Sequence, residues 1–499
     1  ADELPPVEAI EAWAHEQGLL SRSLRLSDST ETGVGVVAAA DIPAGALLVR
    51  SPAPLCVTAA RARADPGVGP LLLRAEATGP AVDDNVAMAA FLMRAVDVPP
   101  PELAPWIRAL PASFDLPLTW SEPELLQLQA SPARLRAEAL RRWSRAEYAR
   151  IFGAWSEPLD FEGSLSRWTW ALSAVWSRSF MLGAVEGSWR VLAPVADLLN
   201  HASHVEGAGE AEQGSEQGLE LGRSTPPAAK MELHARGDSP RHWHSAAGAA
   251  GAGGESYESL PLSDEALTLV ATREVSAGEE VLLDYGPRSN AQLLNTHGFA
   301  LPTTAHEQLQ LELRPPADDP LAPLKVRILE AGNLTSPYSL GRSSLSSDSD
   351  LLVALRVLAA TRDELAGSEQ TGDKGRGYAR AFEGSPISQG NELRWQEMLA
   401  RRLRPLLEER EALSTGLEDA ALLGASDAAR LGAPLAAGAA QRSRGHLELG
   451  SRRRLAVVTR ASEKLMLRQL LAELEGRRRA SDRALAAARA ALVADKSEL

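Results

Sequence analysis

The 499-residue chain has a single cysteine, Cys56. No internal disulfide can form and no multi-cysteine zinc cluster can assemble, so a reducing compartment is expected. No uninterrupted apolar run approaches the ~20 residues needed to cross a bilayer, which argues against a membrane protein. There is no excess of basic charge either. Lys and Arg number 52 against 66 Asp and Glu, a net of −14. Such a chain offers no uniformly basic surface to nucleic acid and should attract cationic partners such as basic peptides. A G-x-S-x-G elbow is missing, which leaves a serine hydrolase without support. No carboxylate or cysteine stands at a recognised ligand spacing from His201, His204, His242 or His244, so no metal site is expected. The chain begins at Ala1 with neither an initiator Met nor a signal-like apolar region, and any targeting peptide is expected to have been removed.

The composition that is present, 44% hydrophobic and 24% charged residues, is that of a soluble globular protein long enough for two or three compact units. Residues 33–57 read as β: "VGVVA", a turn at "DIPAG", then "ALLVR". The pattern recurs. "ATREVSAGEEVLL" at 271–283 repeats "AAADIPAGALLVR" at 38–50, and both read as hairpins of one sheet system. Between them the period lengthens, because Leu165, Trp168, Leu172, Val175 and Ser179 fall on one helical face, as do the apolar residues of 86–93. Helices are expected within 133–152, Ser121 and Glu124 have the spacing of a capping box, and "WRVLAPVA" reads as a strand. Residues 205–256 are too poor in large apolar side chains to repay their ordering entropy and read as a flexible insertion, with a possible strand at "KMELHAR". Beyond Phe299 helical spacing dominates, at 350–365, 391–413, 452–474 and 479–493.

Three short segments stand out from this background. Gly33, Gly35 and Ala38 match G-x-G-x-x-A formally. A dinucleotide fingerprint must follow a buried strand and open a helix, whereas polar "SDSTE" precedes this one and a β-branched run comes after, so a glycine turn before a strand is the better reading. "VADLLNHASH" at 195–204 delivers Asp197, Asn200 and His201 from the end of an apolar run. "LLDYGPRSNAQLLNTHGF" at 282–299 places Tyr285 at a strand end before a Gly-Pro turn, with a helix-like "SNAQLL" after it. A tyrosine there usually packs. Taken in order with "SRSF" at 177–180, however, "GVG", "DLLNH" and "DYG" form a constellation that packing alone does not explain.

These segments resemble the SET-domain protein methyltransferases of the class typified by the Rubisco large-subunit lysine methyltransferase, and the likeness spans nearly the whole chain. "NELRWQEMLARRLRPLLEE" and "RRRLAVVTRASEKLMLRQLLAEL" look like that class's helical substrate-binding domain. The resemblance implies an α+β chain: a knotted β-rich SET fold with a helical insertion, followed by an all-α substrate-binding domain. The implied division is 1–80 and 181–300 for the two parts of the SET domain, 81–180 for the insertion within it, and 301–499 for the substrate-binding domain.

By the same resemblance the cofactor is S-adenosylmethionine. Asn200 and His201 would bind its adenosine end, Thr32, Gly33 and Val34 its methionine end, Arg178 and Asp197 would line the pocket, and Phe299 would pack near the adenine. Tyr285 matches the catalytic-site tyrosine. The implied reaction is SN2 methyl transfer to a lysine of a non-histone protein, with no metal, nucleic acid or membrane and with the enzyme a monomer. Protein-histidine methylation and an inert binding module are the alternatives, the second disfavoured by intact Asn200, His201 and Tyr285. Two departures from the class are Ala202, where serine often follows Asn-His, and His297, where an aromatic residue usually precedes the Gly-Phe pair. The Ala, Gly and Arg richness suggests a green-alga-like genome, and a chloroplast location is expected.

Overall fold

The computed structural model describes residues 6–30, 33–153, 155–182, 189–202, 229–234, 241–242, 266–302, 304–346, 349–367, 376–423 and 451–497. Thr32 and most of the 205–256 segment read as flexible lie outside the described residues. In chain order the elements are α1 (Pro6–Glu16), β1 (Leu24–Thr30), β2 (Gly33–Ala38), β3 (Leu47–Pro52), β4 (Val57–Thr58), α2 (Ala59–Ala64), α3 (Gly69–Ala77), α4 (Asp84–Asp97), α5 (Ala104–Ala109), α6 (Glu122–Leu126), α7 (Pro132–Phe152) and α8 (Leu165–Arg178). After these come β5 (Ser179–Leu182), β6 (Trp189–Leu192), β7 (Ala229–His234), β8 (Arg241–His242), β9 (Ala266–Ala271), α9 (Asn290–His297), β10 (Gln308–Leu311), α10 (Ala322–Ala331), β11 (Tyr338–Gly341), α11 (Asp350–Ala359), α12 (Arg362–Ala366), α13 (Ala379–Phe382), α14 (Gln389–Leu413), α15 (Gly416–Leu422) and α16 (Arg452–Ser497). Two compact units result, one of Ala1–Trp120, Arg136–Gly286 and Gln292–Phe299, the other of Ser121–Leu135, Pro287–Ala291 and Ala300–Leu499.

The first unit holds three small antiparallel sheets, ordered β1-β2, β3-β9-β7-β8 and β4-β6-β5. The strand expected at "KMELHAR" is β7, paired with β9 over its whole length. The internal repeat has a direct structural meaning. Ile42 and Val275, equivalent positions of the two copies, exchange backbone hydrogen bonds of 2.8 and 2.9 Å, and each copy's Ala-Gly turn carries a positive-φ glycine, Gly45 at +83° and Gly278 at +85°. The copies therefore pair antiparallel with one another. Helices of the insertion complete the core. Val86–Met93 of α4 are all between 0 and 2% exposed, as a helix apolar on every side must be. On α8, Trp168, Leu172 and Val175 are buried as the period requires, while Leu165 in its first turn remains 39% exposed.

The second unit is mostly helical, with α14 packed against α11 and α16. Its all-α expectation needs one amendment. β10 and β11 form an antiparallel ribbon, with Leu309, Leu311, Tyr338 and Leu340 buried on one side by strand alternation. A four-residue strand is too short for its period to stand out from the helical surroundings. The two helices expected at 452–474 and 479–493 are one, α16. Gly476 costs an interior helix about 1 kcal/mol, which strong helix formers on either side and the i,i+4 pair Glu473–Arg477 at 2.7 Å offset. The capping box predicted at Ser121 and Glu124 is formed.

Charge is buried inside this unit, and it is paired. Asp419, with no side-chain exposure, binds Arg460 and Lys464, each at 2.7 Å. Glu463, equally buried, accepts from Ser131 at 2.5 Å and lies 3.6 Å from Arg410. Ser462 Oγ meets Glu307 Oε2 at 2.5 Å and Thr459 O at 2.9 Å, and accepts from Asn290 Nδ2. A hydroxyl has one hydrogen. If Ser462 gives it to Thr459, the Glu307 contact needs a proton on the carboxyl. Burial and then the charge of Glu463 push Glu307 up to about 8, and burial pushes Glu463 up to about 7. Both values lie above the ~4.3 of an unfolded glutamate, so their stability contribution is complete at low pH and lost as pH rises through the folded values. Denaturant unfolding of the full chain should show stability falling between about pH 4, near the unfolded value, and about pH 8, near the folded ones. Glu307→Gln should flatten that fall.

Candidate active site

The site is built around a sharp turn. Val195 is fully buried at φ +73°, a strained position for a β-branched residue that only a surrounding core can hold. A 3-10 turn, Ala196–Leu198, comes directly after it. Its Asp197 side chain has no exposure and is held from two directions, by Trp106 Nε1 at 3.2 Å to both carboxylate oxygens and by Arg178 Nη1 at 3.1 Å. Arg178 Nη1 also donates to the Asp197 carbonyl at 3.2 Å. Burial pushes the Asp197 carboxyl above its usual range, against the pull of Arg178 and Trp106. Asp197 therefore lies behind the site's wall and acts on it by fixing the turn.

Beyond the turn, Asn200–Ala202 runs beside Leu283, with Leu283 N–H donating to Asn200 O at 2.8 Å and Ala202 N–H to Leu283 O at 3.2 Å. This parallel bridge brings the two signature segments together. The Asn200 amide donates to Glu280 Oε1 at 2.7 Å, with Val34 O at 3.3 Å and Thr30 Oγ1 at 3.4 Å also in reach. The glycine strand comes close here because Gly35 has no side chain. A Cβ there would stand 2.6 Å from Glu280 Oε1 and 2.7 Å from Asn200 Nδ2. Gly33 opens the same strand, β2, and Val34 is 38% exposed beside it.

His201 Nδ1 lies 3.2 Å from the Tyr285 N–H and 3.3 Å from Leu283 O. A backbone N–H can only donate, so Nδ1 accepts and the neutral ring carries its hydrogen on Nε2. Four rings gather at this point. Tyr285 is 4.9 Å from His201, 4.9 Å from His297 and 6.3 Å from Phe299, and Phe299 is 5.7 Å from His201. Tyr285 is only partly buried, but its hydroxyl is desolvated and donates to Leu199 O at 2.7 Å. Burial, reinforced by Asp197 and Glu280 and opposed by Arg178, pushes the phenol up to about 12. It keeps its proton at neutral pH.

Of the residues singled out from sequence, the structure thus gathers Val34, Asn200, His201, Tyr285 and Phe299 around one wall, with Arg178 and Asp197 supporting it and Thr32 outside the described residues. Trp106, Leu199, Thr30 and Glu280 were missed. Glu280 sits in the second repeat and had a signal there. Trp106, 91 residues from its partner, had none. No group of three or more possible metal ligands occurs among the described residues, and no described helix is long and apolar enough to cross a membrane.

The architecture matches known structures. The SET domain of LSMT solved with lysine and AdoHcy superposes with a TM-score of 0.60 at 21% identity, covering 97% of this chain and 94% of that one. Rubisco LSMT solved with AdoMet gives 0.58 at 19% identity, covering 96% and 94%. The fold is that of the SET-domain proteins. Residues 316–467 match the family described as Rubisco LSMT substrate-binding. Over 412 residues it is 24% identical to the actin-histidine N-methyltransferases of Canis lupus familiaris and Homo sapiens, across 79% of this chain and 60% of each relative. It thus spans about three fifths of the length of these curated relatives.

Removing one partner of a buried ion pair leaves an uncompensated charge, at a cost of about 3–5 kcal/mol. Arg178→Met should therefore destabilise the protein by about that amount in urea unfolding. Adding Asp197→Asn, which removes the orphaned charge, should recover a large part of the loss.

Proposed function

We propose that the chain is an S-adenosylmethionine-dependent N-methyltransferase acting on a lysine side chain of a non-histone protein. The observation that carries this reading is the Tyr285 hydroxyl, fixed on Leu199 O beside the Asn200–His201 segment. The solved LSMT structures, bound to AdoMet or to lysine and AdoHcy, support both the cofactor and the acceptor. A second reading, a histidine acceptor, is favoured by the actin-histidine N-methyltransferases that the chain matches over 79% of its length. A net charge of −14 suits the approach of a basic, lysine-bearing segment.

The residues present fit the cofactor's chemistry. Asn200 Oδ1 takes no hydrogen bond from the described residues, and Arg178 Nε is buried without an acceptor among them, so the wall retains polar capacity for a ligand. At Gly33 a Cβ would meet nothing within 4 Å, which leaves that stretch of backbone open. Asn200 and His201 would hold the adenosine end, Gly33 and Val34 the amino-acid end, and Phe299 would offer an aromatic face to the base. Bound there, S-adenosylmethionine would supply a methyl group made electrophilic by its sulfonium.

The protein's own contribution centres on Tyr285. Its one hydrogen is committed to Leu199 O, so its oxygen faces the site as an acceptor of weak C–H hydrogen bonds. Its high pKa removes it as a base at neutral pH. It orients the reacting atoms, and desolvation among the rings lowers the pKa of the incoming nitrogen, whose proton passes to bulk water.

Incubation with isotopically labelled S-adenosylmethionine and a cell extract, followed by mass mapping of the modified residue, tests the reading. Label on a lysine ε-nitrogen supports it, label on an imidazole installs the second reading, and no transfer removes both. Asn200→Ala should weaken S-adenosylhomocysteine binding by about 1–3 kcal/mol in calorimetric titration. Tyr285→Phe should leave that affinity nearly intact yet slow single-turnover methylation by about 100-fold or more.

A further inference from the structure

Two consecutive glutamates of the second repeat, Glu279 and Glu280, go different ways. The 279–281 stretch lies antiparallel to β2, with Val37 opposite Glu280, Val281 N–H donating to Val36 O at 2.8 Å and Ala38 N–H to Glu279 O at 2.9 Å. Glu279 forms an ion pair with Arg273 and accepts from Ser276 N–H at 3.1 Å. Glu280 turns instead toward Gly35 and Asn200. Its Oε1 accepts from Asn200 Nδ2 at 2.7 Å and would stand 2.6 Å from a Cβ on Gly35. Val34 O lies 3.3 Å from the same Nδ2. A carboxylate and a carbonyl oxygen can only accept, which fixes the amide with its nitrogen toward both.

What Glu280 lacks is a cation. Asp197, the other carboxylate close to the wall, has Arg178 at 3.1 Å. Among the described residues Glu280 has only the Asn200 amide, which is neutral and engages one of its two oxygens. The side chain is partly buried, so solvent can still reach it. A ligand laid along β2 would close that access, and a carboxylate taken from water without a positive partner is costly. The ligand must therefore bring the positive charge. Val34 is 38% exposed here and the backbone at Gly33 is open, which is where the reading above puts the amino-acid end of S-adenosylmethionine. That end carries one ammonium, with three N–H donors, and one carboxylate.

We propose that Glu280 is a cofactor-binding residue, its Oε2 accepting an N–H of the α-ammonium at the cofactor's amino-acid end. The inference rests on the cofactor reading above and deepens it. The same negative charge repels the α-carboxylate, so Glu280 decides which way round the amino-acid end lies: ammonium toward the 279–281 stretch, carboxylate away from it. Cofactor and demethylated product both keep the ammonium, so the contact holds the two alike.

The test is calorimetric titration of the full chain with S-adenosylmethionine, S-adenosylhomocysteine and the des-amino analogue of S-adenosylhomocysteine, which differs from it by the ammonium alone. Glu280→Gln keeps an acceptor for the Asn200 amide and removes the charge. It should weaken S-adenosylmethionine and S-adenosylhomocysteine alike, by about tenfold or more, the worth of a charge-assisted hydrogen bond. The des-amino analogue should bind wild type more weakly than S-adenosylhomocysteine does, and should bind Glu280→Gln at least as well as wild type, which also shows that the variant folds. An equal loss for the des-amino analogue would mean that Glu280 acts only by holding Asn200, and would overturn the proposal. A loss confined to S-adenosylmethionine would put the carboxylate at the sulfonium and overturn it too, as would unchanged affinity for all three ligands. A wild type that binds neither S-adenosylmethionine nor S-adenosylhomocysteine brings down the cofactor reading itself, an outcome distinct from a binding wild type indifferent to Glu280.

Discussion

A carboxylate removed entirely from water sets the shape of the site. Asp197 is tolerable where it lies only because Trp106 and Arg178 surround it with donors, and each belongs to a different element of the helical insertion. The same contacts pin the 3-10 turn, whose exit supplies Leu199 O, Asn200 and His201. Through Leu199 O the constraint reaches Tyr285, and through Arg178, Asp197 and Glu280 it sets the electrostatic balance under which the phenol stays protonated. The insertion is thus part of the site. Its α4 supplies a fully apolar centre, α5 and α8 supply the two donors, and the strained Val195 persists because everything around it is packed.

The second constraint is the antiparallel pairing of the two repeat copies. Because Ile42 meets Val275 and Val36 O accepts from Val281 N–H, β2 is drawn alongside the chain that continues to Tyr285. Asn200 is then caught between Val34 on one side and Glu280 on the other, at a distance that only Gly35 permits. Gly35 of the "GVG" segment serves the close approach of three stretches of the fold, those of Thr30, Asn200 and Glu280, a different use from the phosphate cradle that the spacing formally suggests.

What could be read from sequence divides along physical lines. The repeat, the Asn-His pair and the Ser121 capping box were legible because each is local: a few residues state the backbone geometry and the donor or acceptor they bring; the strand expected before Tyr285 is instead a single bridge at Leu283. Helices α4, α8 and α14 were legible because their period persists over several turns. The Trp106–Asp197 contact was not, since nothing in the neighbourhood of either residue names a partner 91 positions away. The β10–β11 ribbon was lost for a related reason, its four-residue strands resembling turns of helix, and α16 was divided because Gly476 carries a local penalty that packing and flanking ion pairs offset. The buried charges around Asp419 and Glu463 lie on faces whose burial depends on tertiary packing alone.

Among the described residues, the groups of the cluster are largely committed to one another. Tyr285 is held protonated by desolvation and by the two nearby carboxylates, and the His201 ring is oriented by Tyr285's own backbone N–H, so both signature side chains are committed to geometry. Glu280, the carboxylate nearest to Asn200, is engaged by that amide. On the function proposed above, the charge of a protonated amine entering such a site would suffer the same desolvation that raises the phenol. On that proposal the arrangement favours an acceptor nitrogen that has left its proton with bulk water before it enters. From there, alignment by the fixed Tyr285 oxygen is what the wall would contribute to rate, and alignment of reacting atoms is worth several powers of ten when the groups that provide it cannot move.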